Sequence, residues 1–210
     1  STSEVYGNAK KFPINENTPV SPLSTYAASK YAAESLCRSF GAETGLDVVV
    51  LRQFNVYGPG DTHPRIIPKL MRSAKYDSDV HLGNTNVTRD FTFVTDATKA
   101  LMNMMTLKYD DIPVKYRSSE DLVVVHGSGV ETSIKDLIKM ISGKYDTKIN
   151  VVRDKTHDRP RDVMRLRADR TKYDAIFGRK KQQRVSLSDG LDITKRWYDT
   201  HDWVWESVHE

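Results

Sequence analysis

STYAASKYAAESLCRSFGAETGLDVVVLR, residues 24–52, decides the fold class. Residues 24–44 are rich in Ala, Ser, Leu and Glu, and Gly45 follows as a C-terminal stop, which predicts a helix. Asp47–Arg52 is a nearly continuous β-branched run of the kind shown by a parallel strand buried on both faces. Before this pair, Pro13, Pro19 and Pro22 mark a loop; after it, NVYGPGDTHP (55–64) reads as turns. Periodicity then predicts a helix over about 65–76, a strand RDFTFV (89–94), a helix VTDATKALMNMMTL (94–107) and a second buried strand, LVVVH (122–126). Gly127-Ser128-Gly129 reads as a strand-to-helix turn. A helix near 133–143, a strand INVVR (149–153) and helices near 169–177 and 187–200 complete the pattern. Such alternation predicts an α/β protein with a mainly parallel sheet and a smaller, more helical C-terminal lobe. Ligands on such sheets sit at the carboxyl ends of the strands.

Composition narrows the class. The 210 residues suffice for a real core, and 38% hydrophobic with 29% charged residues exclude a disordered chain. No run approaches the ~18 apolar residues of a membrane span, and the first residues lack a basic-then-apolar leader pattern. The single Cys37 cannot form an internal disulfide, so a cytoplasmic setting without a membrane partner is expected. Lys and Arg outnumber Asp and Glu by 32 to 28, a net charge of +4. The excess is local: Arg153–Arg184 holds twelve Lys or Arg against five Asp. With no zinc-finger spacing, RNP-like strand or recognition helix, no nucleic-acid partner is expected. The basic stretch reads either as a solvated face or as a site for the phosphates of a small ligand.

The residues that carry chemistry are Thr2, Glu4, Tyr26 and Lys30. Tyr26 and Lys30 are four apart on the predicted helix, so both project from one face. A tyrosine acts as a base near neutrality only if its phenol is brought down from about 10 by about three units, or about 4 kcal/mol. One ammonium ~4 Å away at an effective dielectric near 20 contributes about that much. A Tyr-x-x-x-Lys pair alone is common on helices, and its neighbours give it meaning. No metal-ligand spacing is present, so no metal is expected.

STSEVYG (1–7), YAASK (26–30) and RQFNVYGPG (52–60) occur in that order. Arg89-Asp90-Phe91 with Val94-Thr95-Asp96, HGSGVETSIKDL (126–137) and RPRDVMRLRAD (159–169) follow. Together they resemble the NAD-dependent nucleotide-sugar epimerases and dehydratases of the extended short-chain dehydrogenase/reductase family, across nearly the whole chain. The resemblance implies a Rossmann-like sheet, NAD as cofactor, a nucleotide-diphosphate sugar as substrate and a homodimer. Residues 1–62 and 90–127 would belong to the NAD-binding domain, and 63–89 with 128–210 to a substrate-binding domain. Tyr26 would remove the proton from the sugar 4-hydroxyl, Lys30 would bind the nicotinamide ribose, Thr2 would hydrogen-bond the same sugar oxygen, and Phe54 would lie against the cofactor. Ser3, Asn55, Arg89 and Arg159 would contact the nucleotide sugar, the two arginines at the diphosphate, which suits a guanidinium fork.

Within that family Glu4 favours a 4,6-dehydratase over a 4-epimerase, because the acid can take the C5 proton. Ser3 stands where dTDP-glucose dehydratases carry an Asp, so the departing hydroxyl lacks that donor. A UDP-glucuronate decarboxylase is disfavoured because YAASK differs from the Tyr-Asp-Glu-Gly-Lys helix of those enzymes. The family's G-x-x-G-x-x-G fingerprint is matched by none of the 11 glycines. The expectation is therefore a C-terminal two-thirds, with the phosphate-cradling turn in roughly 110 preceding residues, and a chain that alone binds NAD poorly and turns over little. The alternative from another class is a non-catalytic interaction protein.

Overall fold

The structure is a computed structural model that describes residues 1–117, 122–158, 162–178, 184–203 and 205. Six helices among these residues, α1 (Thr25–Thr44), α2 (Ile66–Tyr76), α3 (Val94–Met105), α4 (Ile134–Tyr145), α5 (Thr171–Phe177) and α6 (Leu187–Asp199), alternate with eight strands. The strands are β1 (Val49–Gln53), β2 (Asn55–Tyr57), β3 (Val80–Leu82), β4 (Thr88–Arg89), β5 (Phe91–Phe93), β6 (Leu122–His126), β7 (Thr132–Ser133) and β8 (Val151–Arg153). β1 pairs with β6 in parallel, from Val49 opposite Leu122 to Gln53 opposite His126. Thr2 continues this sheet through a parallel bridge to Gln53. β2 with β5 and β3 with β8 are also parallel, and β4 with β7 is antiparallel. The runs DVVVLR and LVVVH thus lie side by side as parallel strands; in the first, Val50, Leu51 and Arg52 are buried, while Asp47 and Val49 are exposed. No helix among the described residues is long and apolar enough to cross a membrane.

The structure departs from the sequence reading in three places. Asn55–Tyr57, read as part of a turn, is β2. Val80–Leu82, unread, is β3, whose three residues are too few for alternation to show. RDFTFV is not one strand. Arg89 ends β4 and Phe91 opens β5, and each pairs with a different neighbour.

Asp90 lies at that break, fully buried. Its carboxylate accepts from the Ser128 backbone N–H and hydroxyl, both at 2.6 Å, from the Gly129 N–H at 2.9 Å and from the Ala168 N–H at 3.0 Å. Burial pushes the Asp90 carboxyl up, while these donors pull the other way without cancelling it. The Gly-Ser-Gly turn is shaped for this contact. A Cβ on Gly127 would stand 2.6 Å from the Ala168 Cβ and 2.9 Å from Asp90 Oδ2. Gly129 takes φ +79°, which favours glycine.

α1 is capped at its start by the Ser24 hydroxyl, which accepts from the Ala27 N–H at 3.0 Å, and ends on left-handed Gly45. Its buried stripe is Ala27, Glu34 and Gly41, seven apart and free of large apolar groups. Gly41 permits close approach to the strand, since a Cβ there would lie 2.5 Å from Val48 Cγ2. Glu34 is 3% exposed and receives Arg52 from β1 as a two-pronged pair, Nε to Oε1 at 3.0 Å and Nη2 to Oε2 at 2.7 Å. Arg52 Nη1 donates to the Tyr6 hydroxyl at 3.0 Å. Burial alone would raise the Glu34 carboxyl, but the hydrogen bonds and charge of Arg52 hold it below the ordinary carboxylate range.

Apolar side chains close three clusters around this frame. One gathers Leu70, Met71, Leu137, Ile141, Leu191 and Tyr198 from α2, α4 and α6 beneath β2 and β5. A second joins Val5, Tyr6, Ile14, Phe54 and Leu166, and a third joins Leu51, Ala100, Val124 and Tyr173.

Two stability predictions follow from the buried polar groups. Arg52→Met removes the buried two-pronged partner of Glu34 and leaves it the partly exposed Arg38, at 3.2 Å, so it is expected to cost about 3 kcal/mol in denaturant unfolding, much of it recovered in the Arg52→Met/Glu34→Leu double variant. A double variant as unstable as the single would refute the pairing argument. His126 is buried against Tyr173, and burial, aided by the charges of Arg170 and Arg184, lowers its imidazole to about 3 from 6.5. The folded ring therefore stays neutral where the unfolded one takes up a proton. Its contribution is present above pH 6.5 and is lost as pH falls towards about 3. Across that window the native protein should lose about 1.4 kcal/mol more per pH unit than His126→Gln; parallel stability–pH curves would exclude it.

Candidate active site

Thr2, Ser3, Glu4, Tyr26, Phe54, Asn55 and Arg89 line one cleft of about 680 Å³. Four chain segments bring them there: the N-terminal turn, α1, the junction of β1 with β2, and β4. Thr2 has extended backbone and caps the short 3-10 turn Ser3–Tyr6, its hydroxyl accepting from the Glu4 N–H at 3.3 Å. Thr2 and Ser3 are buried, Glu4 half-buried. The turn ends on Gly7 at φ +54°, where a Cβ would run into the Ser21 carbonyl. Tyr26 stands in the first turn of α1, with its ring 51% exposed. Lys30, exposed and one turn on, places Nζ 5.8 Å from the centre of that ring, outside the lining of the cleft itself.

Phe54 and Asn55 lie where β1 passes into β2. The Phe54 N–H donates to the His126 carbonyl at 2.9 Å, and Asn55 Oδ1 is buried with no hydrogen-bond partner. Arg89 donates from Nη1 to the Thr88 and Val163 carbonyls at 2.8 and 2.7 Å, and from Nη2 to Asp162 at 3.2 Å. Arg159 lies outside the described residues.

Other lining residues were not read from the sequence: Arg65 and Lys69 at the start of α2, His81, Asn84 and Thr85 in and after β3, and His157. The first two fall in the proline-flanked stretch DTHPRIIPKL, and the next three depend on the unread β3. The arginines of the basic stretch are largely spent on structural partners. Arg165 forks onto Glu131 at 2.8 and 2.8 Å, Arg153 reaches Asp158 at 2.5 Å, and Arg170 holds Asp174 and the Gly127 carbonyl. Of the described residues in that stretch, His157 and Asp162 line the cleft. Among the described residues, the arginine and lysine side chains that line it are Arg65, Lys69 and Arg89. A cleft carrying these three, with a phenol, a nearby ammonium and a carboxylate, suits an anionic ligand whose hydroxyls exchange protons.

Comparison with known proteins identifies the family. The family model described as GDP-mannose 4,6 dehydratase matches residues 1–194. A putative UDP-glucose 4-epimerase from Methanocaldococcus jannaschii is 30% identical over 92% of this chain and 59% of its own length. A dTDP-D-glucose 4,6-dehydratase from Homo sapiens is 27% identical over 100% of this chain and 58% of its own length. The chain thus spans about three fifths of the curated relatives it matches. The crystal structure of the Bacillus cereus UDP-glucuronic acid 4-epimerase, in complex with UDP-glucuronic acid and NAD, superposes with a TM-score of 0.81 at 26% identity, over 95% of this chain and 60% of that one. With a Rossmann-like α/β fold and the family's motifs set around one cleft, the chain belongs to the NAD-dependent nucleotide-sugar epimerase/dehydratase family of extended short-chain dehydrogenases/reductases.

Proposed function

We propose that the whole protein is an NAD-dependent nucleotide-sugar 4,6-dehydratase that converts an NDP-hexose to its 4-keto-6-deoxy form. The observation that carries this reading is the presence of Glu4 in the same cleft as Thr2 and Tyr26. A 4-epimerase needs a hydroxyl and a phenol there, and has no use for a carboxylate beside them. The half-exposed Tyr26, Lys30 one turn on and the unpartnered Asn55 Oδ1 suit the nicotinamide ribose and the sugar. The residues that would cradle the cofactor diphosphate are not among the 210, since no pair of glycine intervals gives the fingerprint.

NAD, when bound, supplies a hydride acceptor for sugar C4 and later a donor for C6. Tyr26 takes the proton of the 4-hydroxyl, and Thr2 hydrogen-bonds that oxygen. Lys30, one turn on from Tyr26, holds the ribose, with Phe54 against the nicotinamide ring. Glu4 takes the C5 proton, which the neighbouring C4 carbonyl has made acidic. That proton departs with the 6-hydroxyl as water, Ser3, a weak acid, serving as a hydrogen-bonding group; C5 would regain a proton as C6 is reduced, matched by release of the 4-hydroxyl proton from Tyr26. Arg89, Arg159, Arg65 and Lys69 would neutralise the diphosphate. Residues 1–62 with 90–127 would form the cofactor side and 63–89 with 128–210 the sugar side.

A homodimer in the cytoplasm completes the proposal. Tyr31, Leu36 and Phe40 are exposed on α1, and the lone Cys37 is an exposed thiol. A 4-epimerase is the second reading, favoured by the Methanocaldococcus jannaschii relative, while Ser3 in the donor place leaves the reaction class open.

Product analysis of the whole protein with NAD and UDP-, GDP- and dTDP-hexoses separates the two: a 4-keto-6-deoxy sugar is expected, and a C4 epimer would overturn dehydration. Glu4→Gln should slow turnover by about 10²–10⁴-fold while nucleotide-sugar binding persists. Wild-type turnover in that variant would remove Glu4 from the mechanism.

A further inference from the structure

The cleft floor is held by a closed set of hydrogen bonds that the reaction scheme does not use. His126, at the carboxyl end of β6, is 1% exposed. Its Nδ1 lies 2.8 Å from Gln53 Oε1, and Gln53 Nε2 donates to the Phe54 carbonyl at 3.2 Å. The Phe54 N–H donates back to the His126 carbonyl at 2.9 Å. One residue therefore has both backbone polar groups tied to the His126–Gln53 pair, and the next residue is Asn55.

The network admits one arrangement of protons. The Phe54 carbonyl can only accept, so the amide nitrogen of Gln53 must face it. Gln53 Oε1 then faces the imidazole and can only accept, so Nδ1 of His126 carries the proton and Nε2 is bare. Flipping the Gln53 amide would set two carbonyl oxygens against each other. Packing holds the ring in place: Tyr173 lies against it, tilted by 54°, at 4.6 Å between centroids, and the Tyr173 hydroxyl accepts from Asn103 at 2.9 Å.

We propose that His126, as its Nδ1–H tautomer, is a positioning residue which acts through Gln53 to fix the Phe54–Asn55 corner and so sets where the Asn55 amide meets a bound nucleotide sugar. The ligand part rests on the function proposed above; the positioning part stands on this geometry alone.

The test uses nitrogen-15 NMR of the histidine ring and the Asn55 side-chain amide in the 210-residue chain, with calorimetry against UDP-glucose, GDP-mannose and dTDP-glucose. Wild-type His126 is expected to show protonated Nδ1. Gln53→Leu, which removes both contacts, should shift the Asn55 amide resonances and weaken nucleotide-sugar binding about tenfold. Gln53→Glu keeps an acceptor for His126 but sets a carboxylate against the Phe54 carbonyl, so it should retain the Nδ1–H tautomer while weakening binding by a similar factor. A merely structural role would lower the melting temperature of the variants and leave the Asn55 resonances and affinity of the folded protein unchanged; that result overturns the proposal, as does an Nε2–H tautomer in the wild type. Absence of wild-type binding to all three sugars would count against the proposed function, and the tautomer and Asn55 readouts would then decide the positioning role by themselves.

Discussion

The Arg52–Glu34 pair is the constraint on which the site depends. Arg52 belongs to β1, Glu34 to α1, and Tyr6, which shares the guanidinium, to the turn that begins with Ser3. The turn carries Glu4, α1 carries Tyr26, and β1 leads directly into Asn55, which opens β2. Burying an ion pair is costly, and an apolar replacement can match it in stability. The fork supplies direction: a guanidinium with three filled donor positions permits one approach of helix, strand and turn. A core of Leu and Val at the same place would tolerate a helix slid or rotated by a fraction of a turn, and Tyr26 would move with it.

The stripe of Ala27, Glu34 and Gly41 shows how α1 reconciles two demands. Its inner face is narrow enough for the helix to lie close to the sheet, and its outer face leaves Tyr26 open to the cleft with Lys30 exposed one turn on. Such a helix owes little to hydrophobic burial. It is held by its caps, by the ion pair and by the close contact that Gly41 allows.

Much of this was legible in the sequence because the signals were local. A capped Ala-rich segment and two β-branched pentapeptides announce α1, β1 and β6, and ordered motifs place Thr2, Ser3, Glu4, Tyr26, Phe54, Asn55 and Arg89 around one cleft. What could not be read depended on tertiary context. β2 and β3 are three residues each and exist because a parallel partner is waiting. The break at Asp90 is invisible in RDFTFV, since its cause is a carboxylate seeking donors 38 and 78 residues away. The basic stretch misled for a related reason: composition counts charges, while only structure shows that Arg165, Arg153 and Arg170 already have partners.

The Asp90 carboxylate also has a bearing on motion. Three backbone amides from two distant segments, Ser128 and Gly129 after β6 and Ala168 ahead of α5, end on one buried group. None can open to solvent without leaving a charge short of donors in a dry site, so the cost of releasing one is shared by the others. The turn after β6 and the segment entering α5 consequently breathe as one unit, and their amide protons exchange with solvent together although forty residues of chain separate them. The wall beside the Phe54–Asn55 corner is in this sense a single mechanical part built from two pieces of sequence.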